Sequence, residues 1–510
     1  MNGNKSFAKL RNGQSIPCSQ VPEMSFADFR QRIVDAVASG RRVSALFGDA
    51  PSVTGGVVLY VVLADKAHSL LHVGKTRLES DRFAALTPDC PQVHLFEREI
   101  AEQFGVRPEG HPWFKPVRFH ASYRPEHDAW GRQPGEKPVC GVTDFYRIQG
   151  EEIHEVAVGP VHAGVIEPGH FRFQCHGEEV FHLEISLGYQ HRGVERTLCG
   201  GPTNRTIHTM ETMAGDTSVG HAAAYCQTVE TLANCRIPMR AEVLRGVALE
   251  LERLANHTGD LGALAGDIGF LPTASYCGRL RGDLLNLTAL LCGNRFGRSA
   301  IRAGGVGFDV EPERIEQCRA RLDAAFRDIT GAVELLWNSS SVQARLEGTG
   351  AISRETCIAL GLVGPVARAC DLEQDVRQDF PADIYRFAQV PVSTWVSGDV
   401  FARAYVRWLE IQRSVAFLRE RLQVLPDGPV RAEVGNLKPE HFAVTLVEGW
   451  RGEICHVALT DARGRFSRYK IVDPSFHNWI GLAMALRGQQ ISDFPLCNKS
   501  FNLSYCGHDL

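Results

Sequence analysis

The sequence predicts an α+β architecture: a small α/β unit first, fused to a larger, mainly helical unit with strands at its periphery. Three features predict it. Short apolar runs crowd the first 125 residues, apolar stripes at helical spacing dominate from residue 150, and a polar segment with Pro and Gly parts the two. At 510 residues the chain is too long for one ordinary domain. The expected divisions are a small α+β unit over 1–125, a linker over 126–149 and the helical unit over 150–510.

The first unit opens on "SFADFRQRIVDAVASG", with a capping Ser25, then Phe26, Phe29, Ile33 and Val37 at helical spacing and a closing Gly40. Strand-like runs "RVSALF", "GVVLYVVLAD" and "HSLLHVGK" follow, parted by Gly, Pro and Asp turns. "HDAWGRQPGEKPVCG" has the composition of a linker. Further on, Pro238 precedes a helix that sets Val243, Leu244, Val247, Leu251 and Leu254 on one stripe. Asp399 to Leu425 predicts another, stopped by Pro426 and Gly428. A hairpin is expected over 453–476, turning at Asp461 to Gly464.

Composition excludes some classes. Apolar residues at 44% and charged residues at 22% supply an ample core. A net charge of −4 gives no footprint for nucleic acid. No apolar signal core opens the chain and no run of about 18 apolar residues could span a bilayer. The expectation is a cytosolic protein, or one peripheral on the cytoplasmic face of a membrane. The 15 cysteines are expected to be reduced, mostly buried thiols, and none forms a C-x-x-C pair. No H-E-x-x-H pair is present, so no metal site is expected in this chain.

The most specific segment is "GPVHAGVIEPGHFRFQCHGEEVFHLEISLGYQHRGVERTL", Gly159 to Leu198. Its "HRGVE" packs His191, Arg192 and Glu195 into five residues around Gly193. Taken alone, this is an ion pair at a helix start. In context, the segment resembles the large subunit shared by nickel–iron hydrogenases and respiratory complex I, above all the membrane-bound, formate-hydrogenlyase-like hydrogenases. "ERLANH" (252–257), "GNRFGRSAIRAGGV" (293–306), "GPVARACDLEQDVRQDFP" (364–381), "VSGDVFARAYVRWLEIQRS" and "VEGWRGE" (447–453) look like the same family, in the same order. "EREIAEQFGVRPEGHP" (97–112) looks like the end of the small hydrophilic complex I subunit often fused ahead of the large one.

Departures from that pattern bear on function. The resemblance places two Cys-x-x-Cys pairs where this chain has Ala214 with Thr217 and Ser475 with Asn478, so soft thiolates for nickel and iron are missing. It places complex I's quinone-binding tyrosine and histidine at Gly215 and Pro168, neither of which has a side-chain donor. His162 matches the first histidine of that loop, and Ser475 with Phe476 is the more complex-I-like feature. The resemblance further implies a proton-passing role for Glu195 and a charged line through Arg368, Asp375 and Arg377. Inherited structural ion pairs are the alternative. His221 reads either as a proton-exchanging group or as a bonded core histidine. Asp216 and Thr217 read as new polar donors for an acceptor or as groups bonded within their own helix.

These readings combine into an expected subunit of a complex-I-like, hydrogenase-related membrane oxidoreductase. It would lack a nickel–iron site and form a quinone-like acceptor cavity (His162, Asp216, Thr217, Ser475, Phe476) coupled to ion translocation. The alternative is a coupling subunit with no redox step. Quinone is the cofactor-like ligand implied. An iron–sulfur cluster would lie in a small partner subunit, with ion-translocating membrane subunits as the other partners. The tail "DFPLCNKSFNLSYCGHDL" is expected to dock on a neighbouring subunit or to be disordered.

Overall fold

The computed structural model describes residues 6–50, 56–133, 136 and 138–510. Three linker positions, Pro134, Gly135 and Lys137, lie outside the described residues. Before the first helix, strand β1 (Gln14–Pro17) departs from its own unit, with consequences given below. Helix α1 (Phe26–Ala38) starts where Ser25 accepts a hydrogen bond from the Asp28 N–H, and it buries Phe29, Ile33 and Ala36. Strands β2 (Arg42–Asp49), β3 (Val58–Asp65) and β4 (Leu70–Arg77) form an antiparallel sheet, with the short strand Ala8–Leu10 antiparallel to β4. Helix α2 (His94–Phe104) is buried along its whole length, Glu97, Glu99 and Glu102 included. Buried carboxylates need partners. Glu97 takes the N–H groups of Leu86 and Thr87, and Glu102 those of Arg118 and Phe119.

Among the described residues of 126–149 there is no helix or strand. The second unit begins with a three-stranded sheet that includes β5 (His170–His176) and β6 (Glu179–Ser186). Its helical body is α3 (Ser218–Ala233), α4 (Met239–Asp267), α5 (Leu271–Cys292), α6 (Pro312–Trp337) and α7 (Val400–Gln423). Helix α4 buries the expected stripe and most of its remaining faces, so it runs through the core rather than over it. Asp399 caps α7 by accepting from the Ala402 N–H.

The late hairpin is present as β8 (Gly452–Thr460) and β9 (Phe466–Val472), with β7 (His441–Gly449) pairing ahead of it. Every residue of β8 is buried, which sets this sheet at the centre of the molecule. Strand β1 adds its fourth strand: Ile16 pairs with Phe442, and Gln14 with Val444. Side chains alternate across the sheet. Thr445, His456 and Tyr469 face helix α3, while Val444, Glu448, Glu453, Cys455, Val457 and Lys470 face the first unit. Phe442, Leu446, Val457 and Phe476 therefore share one apolar core with Phe29, Phe47 and Phe96.

The tail corrects its expectation. Helices α8 (Pro474–Ala485), α9 (Phe494–Phe501) and α10 (Tyr505–Asp509) fold back on the chain's own body. Leu510 is 1% exposed. The Asp509 carboxylate accepts from the Gly188 and Gln190 N–H groups, and the Leu510 carbonyl accepts from those of Arg192 and Gly193. The tail's own apolar side chains fill the core beside Trp479.

Candidate functional site

The stretch before α3 lies where the resemblance places metal thiolates. Ala214 is fully buried. Thr217 Oγ1 accepts from Arg451 at 3.2 Å, and Asp216 holds the same guanidinium at 2.6 and 2.8 Å. Ser475 Oγ accepts from the Ser504 N–H at 2.9 Å, and the Asn478 amide bonds both backbone groups of Val363. No side chain here offers a free soft donor, so these residues do not fit a nickel–iron centre. Among the described residues no group of three or more His, Cys, Asp or Glu is placed to hold a metal.

Beside this wall lies a cavity of about 310 Å³. The loop at Val165–Glu167, Gly215, Asp216 and Arg451 form one side; Lys499, Asn502 and Tyr505 of the tail form the other. The Tyr505 hydroxyl stands 3.4 Å from His162 Nε2, and the His162 Nδ1 lies 3.2 Å from the Pro160 carbonyl. Gly169 makes this approach possible, since a Cβ there would sit 2.5 Å from the Tyr505 ring. Burial pushes the Tyr505 phenol up to about 12, so it stays protonated and able to donate at neutral pH.

Of the cavity residues read from the sequence, Asp216 lines it and His162 reaches it through Tyr505. Thr217 sits behind, on Arg451. Ser475 anchors the tail, and Phe476 packs on Phe96 and His508 in the first unit's core. The tail donors carry no motif; only their unusual composition marks them.

The residues expected from the sequence to carry charge form three groups. Glu195 follows Gly193, whose φ of +65° turns the chain into a short helix. It meets Arg468 and Lys470, each at 2.9 Å, and accepts the Ile471 N–H. Burial alone would raise its pKa, but Lys470, Arg468 and Arg118 outweigh burial and hold it well below the usual range. Lys470 also binds Glu99 of α2 at 2.6 Å, and Arg118 pairs with Glu99.

His221 heads a buried chain. Its Nε2 lies 3.0 Å from Asp473, its Nδ1 3.2 Å from His456 Nε2, and His456 Nδ1 2.9 Å from the Tyr469 hydroxyl. Burial, with His221 beside it, holds the His456 pKa well below its ordinary value.

Arg368, Asp375 and Arg377 lie together within a larger network. Arg368 bonds Glu410 at 2.7 Å and Glu448 at 2.9 Å. Arg377 bonds Asp375 at 2.6 Å and Glu250 at 3.0 Å. Arg253 joins Glu250, and the His257 Nε2–H donates to the Glu410 carboxylate at 2.8 Å. Four buried carboxyl groups thus face three buried guanidinium groups. Burial, with Asp375 close by, pushes Glu448 up to about 7 despite Arg368.

Residues 267–441 match the family described as respiratory-chain NADH dehydrogenase, 49 Kd subunit. The carbon monoxide-induced hydrogenase of Rhodospirillum rubrum is 31% identical over 68% of this chain and 97% of its own length. Formate hydrogenlyase subunit 5 of Escherichia coli K12 is 27% identical, covering 91% of this chain and 84% of its own. An NADH-quinone oxidoreductase subunit of Solibacter usitatus is 30% identical over 66% of this chain and 91% of its own. The chain belongs to the large-subunit family that complex I shares with membrane-bound hydrogenases. Among the described residues no helix is long and apolar enough to cross a membrane.

Proposed function

We propose that this chain is the acceptor-binding subunit of a membrane-associated oxidoreductase complex, and that its acceptor is a quinone-like dione. The tail-walled cavity carries the reading. A protonated phenol backed by a histidine meets a pocket whose lip, Val165, Ile166 and Leu503, is apolar. A hydrogen bond from Tyr505 to a ring oxygen strengthens as negative charge develops there during reduction. Lys499 and Asn502 supply further donors at the rim. Electrons would arrive from a cluster in a small partner subunit, and membrane subunits would carry the coupled ion. The names of relatives, an NADH-quinone oxidoreductase subunit and a formate hydrogenlyase subunit among them, are those of subunits of oxidoreductases, which supports the reading.

The competing reading, a coupling subunit with no redox step, draws on His221 and Asp473, which are sealed from solvent. Titrating the full chain with a short-chain benzoquinone while following tryptophan fluorescence separates the two, because Trp479 lies 4.9 Å from the Tyr505 ring. Saturable quenching is expected, weakened several-fold in Tyr505→Phe, as loss of one hydrogen bond of about 1 kcal/mol requires. Non-saturating quenching that is identical in Tyr505→Phe and His162→Ala would favour the coupling subunit.

A further inference from the structure

A second cavity lies where the central sheet meets the first unit. Its volume is about 230 Å³, and Asp375, Asp379, Glu448 and Glu453 line it among apolar groups such as Val37, Ile358 and Phe380. Glu448 and Glu453 are directly opposite each other on antiparallel strands β7 and β8, so their side chains share one face. Both are at least 96% buried. Glu453 pairs with Arg42 of the first unit through one oxygen. Its other oxygen, Oε1, has no hydrogen-bond partner among the described residues, and neither has Arg368 Nη2 just behind Glu448.

Like carboxylates facing each other across a ladder repel. The buried network behind them is already one positive charge short, with Glu250, Asp375, Glu410 and Glu448 set against Arg253, Arg368 and Arg377. Burial keeps the His257 pKa below its ordinary value, so His257 does not make up the difference. A cavity of this size with carboxyl groups in its wall has room for several waters, for which the unpaired Glu453 oxygen is a ready partner. Asp379 stands nearer the surface, partly exposed, with Lys66 and Arg42 as its nearest cations. Arg41 and Arg354 complete the charged lining, and Cys357 is the remaining titratable group.

We propose that this cavity is a hydrated proton-exchange chamber, in which Asp379, Glu453 and Glu448 pass protons between solvent and the Arg368 network. Each transfer breaks one carboxyl O–H bond and forms one on a cavity water or the next carboxylate, with no electron moved. The protonation levels suit such exchange, because burial pushes Asp379 up to about 6 and Glu448 to about 7, and both trade protons near neutral pH. The proposal rests on the reading that the Arg368 network handles charge for acceptor reduction, but the chamber is testable without an acceptor.

Dicyclohexylcarbodiimide, an apolar reagent, adds to protonated carboxyl groups. The purified full chain, treated between pH 6 and 8 and mapped by peptide mass spectrometry, is expected to carry the adduct on Glu448 or Asp379. For Glu448, the initial rate should fall about tenfold across that range. Glu453→Gln, which removes the facing charge at constant shape, should slow Glu448 labelling at pH 7. Absence of label from both carboxyl groups, a flat pH profile, or indifference to Glu453→Gln would each overturn the proposal. In the assembled complex, Asp379→Asn should lower maximal turnover and leave the KM for the acceptor unchanged. Equal change in both would assign Asp379 a structural role and overturn its place in the chamber. The labelling results depend on neither Tyr505 nor an acceptor, so failure of the acceptor reading remains distinguishable.

Discussion

Glu195 and Glu448 mark two acidic clusters on the side of the central sheet that faces the first unit, and they are solved in opposite ways. Around Glu195, Lys470, Arg468 and Arg118 outnumber Glu195 and Glu99, and the carboxylate stays ionised. Around Glu448, carboxyl groups outnumber guanidinium groups, and Glu448 is held near half-protonation at neutral pH. The same fold thus builds a fixed charge beside β9 and a movable one at the β7–β8 turn. Burial raises both carboxyl groups; the count of neighbouring cations decides which way each one ends.

The largest test of that contrast is Arg368→Ala. It takes from Glu448 its guanidinium partner and leaves Glu410 with Arg253 and His257, and should cost about 3–5 kcal/mol in chemical denaturation. Lys470→Met leaves Glu195 and Glu99 with Arg468 and Arg118, and should cost less, about 1.5–3 kcal/mol. Equal losses would mean the clusters are not differently compensated.

Stability against pH gives the next test. Glu195 has a lowered pKa when folded, so its contribution is present above the unfolded value near ~4.3 and disappears as pH falls through the folded one. Glu448 is raised to about 7, so the folded state binds the extra proton and stability declines as pH climbs from about 4.3 towards 7. Glu195→Gln should flatten the acid limb of a melting-temperature profile, and Glu448→Gln the neutral limb. If each variant flattens the other's limb, the assignment is reversed. The smallest effect is expected from Asp509→Asn in the tail. It keeps one acceptor for the Gly188 and Gln190 N–H groups, and should cost about 1 kcal/mol.

Much of the framework was legible in the sequence because periodicity and capping are local. Ser25, Pro238, Asp399 and the Asp461 turn each mark an element boundary within a residue or two. The Arg368, Asp375 and Arg377 grouping was legible through the family pattern. Partners distant in sequence were not. Lys470 reads as a polar residue of a hairpin, yet it is buried between Glu99 and Glu195. Nothing local marks Glu99 and Glu102 as buried, yet α2 is buried along its whole length. Tyr505 lies in a tail whose apolar residues suit a foreign surface equally well; only the fold shows that they face inward. The motif around Phe476 puts it in the acceptor cavity, whereas its side chain points to the first unit.

Strand β1 carries one more consequence, for how the molecule is made. Ile16 pairs with Phe442, and nearly the whole chain must leave the ribosome before that pairing can form. Until then, the first unit presents the apolar surface later covered by Phe442, Leu446 and Val457, together with an unpaired strand. Maturation of this subunit therefore closes from its two ends inward. A nascent chain halted before residue 441 is expected to be a target for chaperones, whereas the finished chain is not.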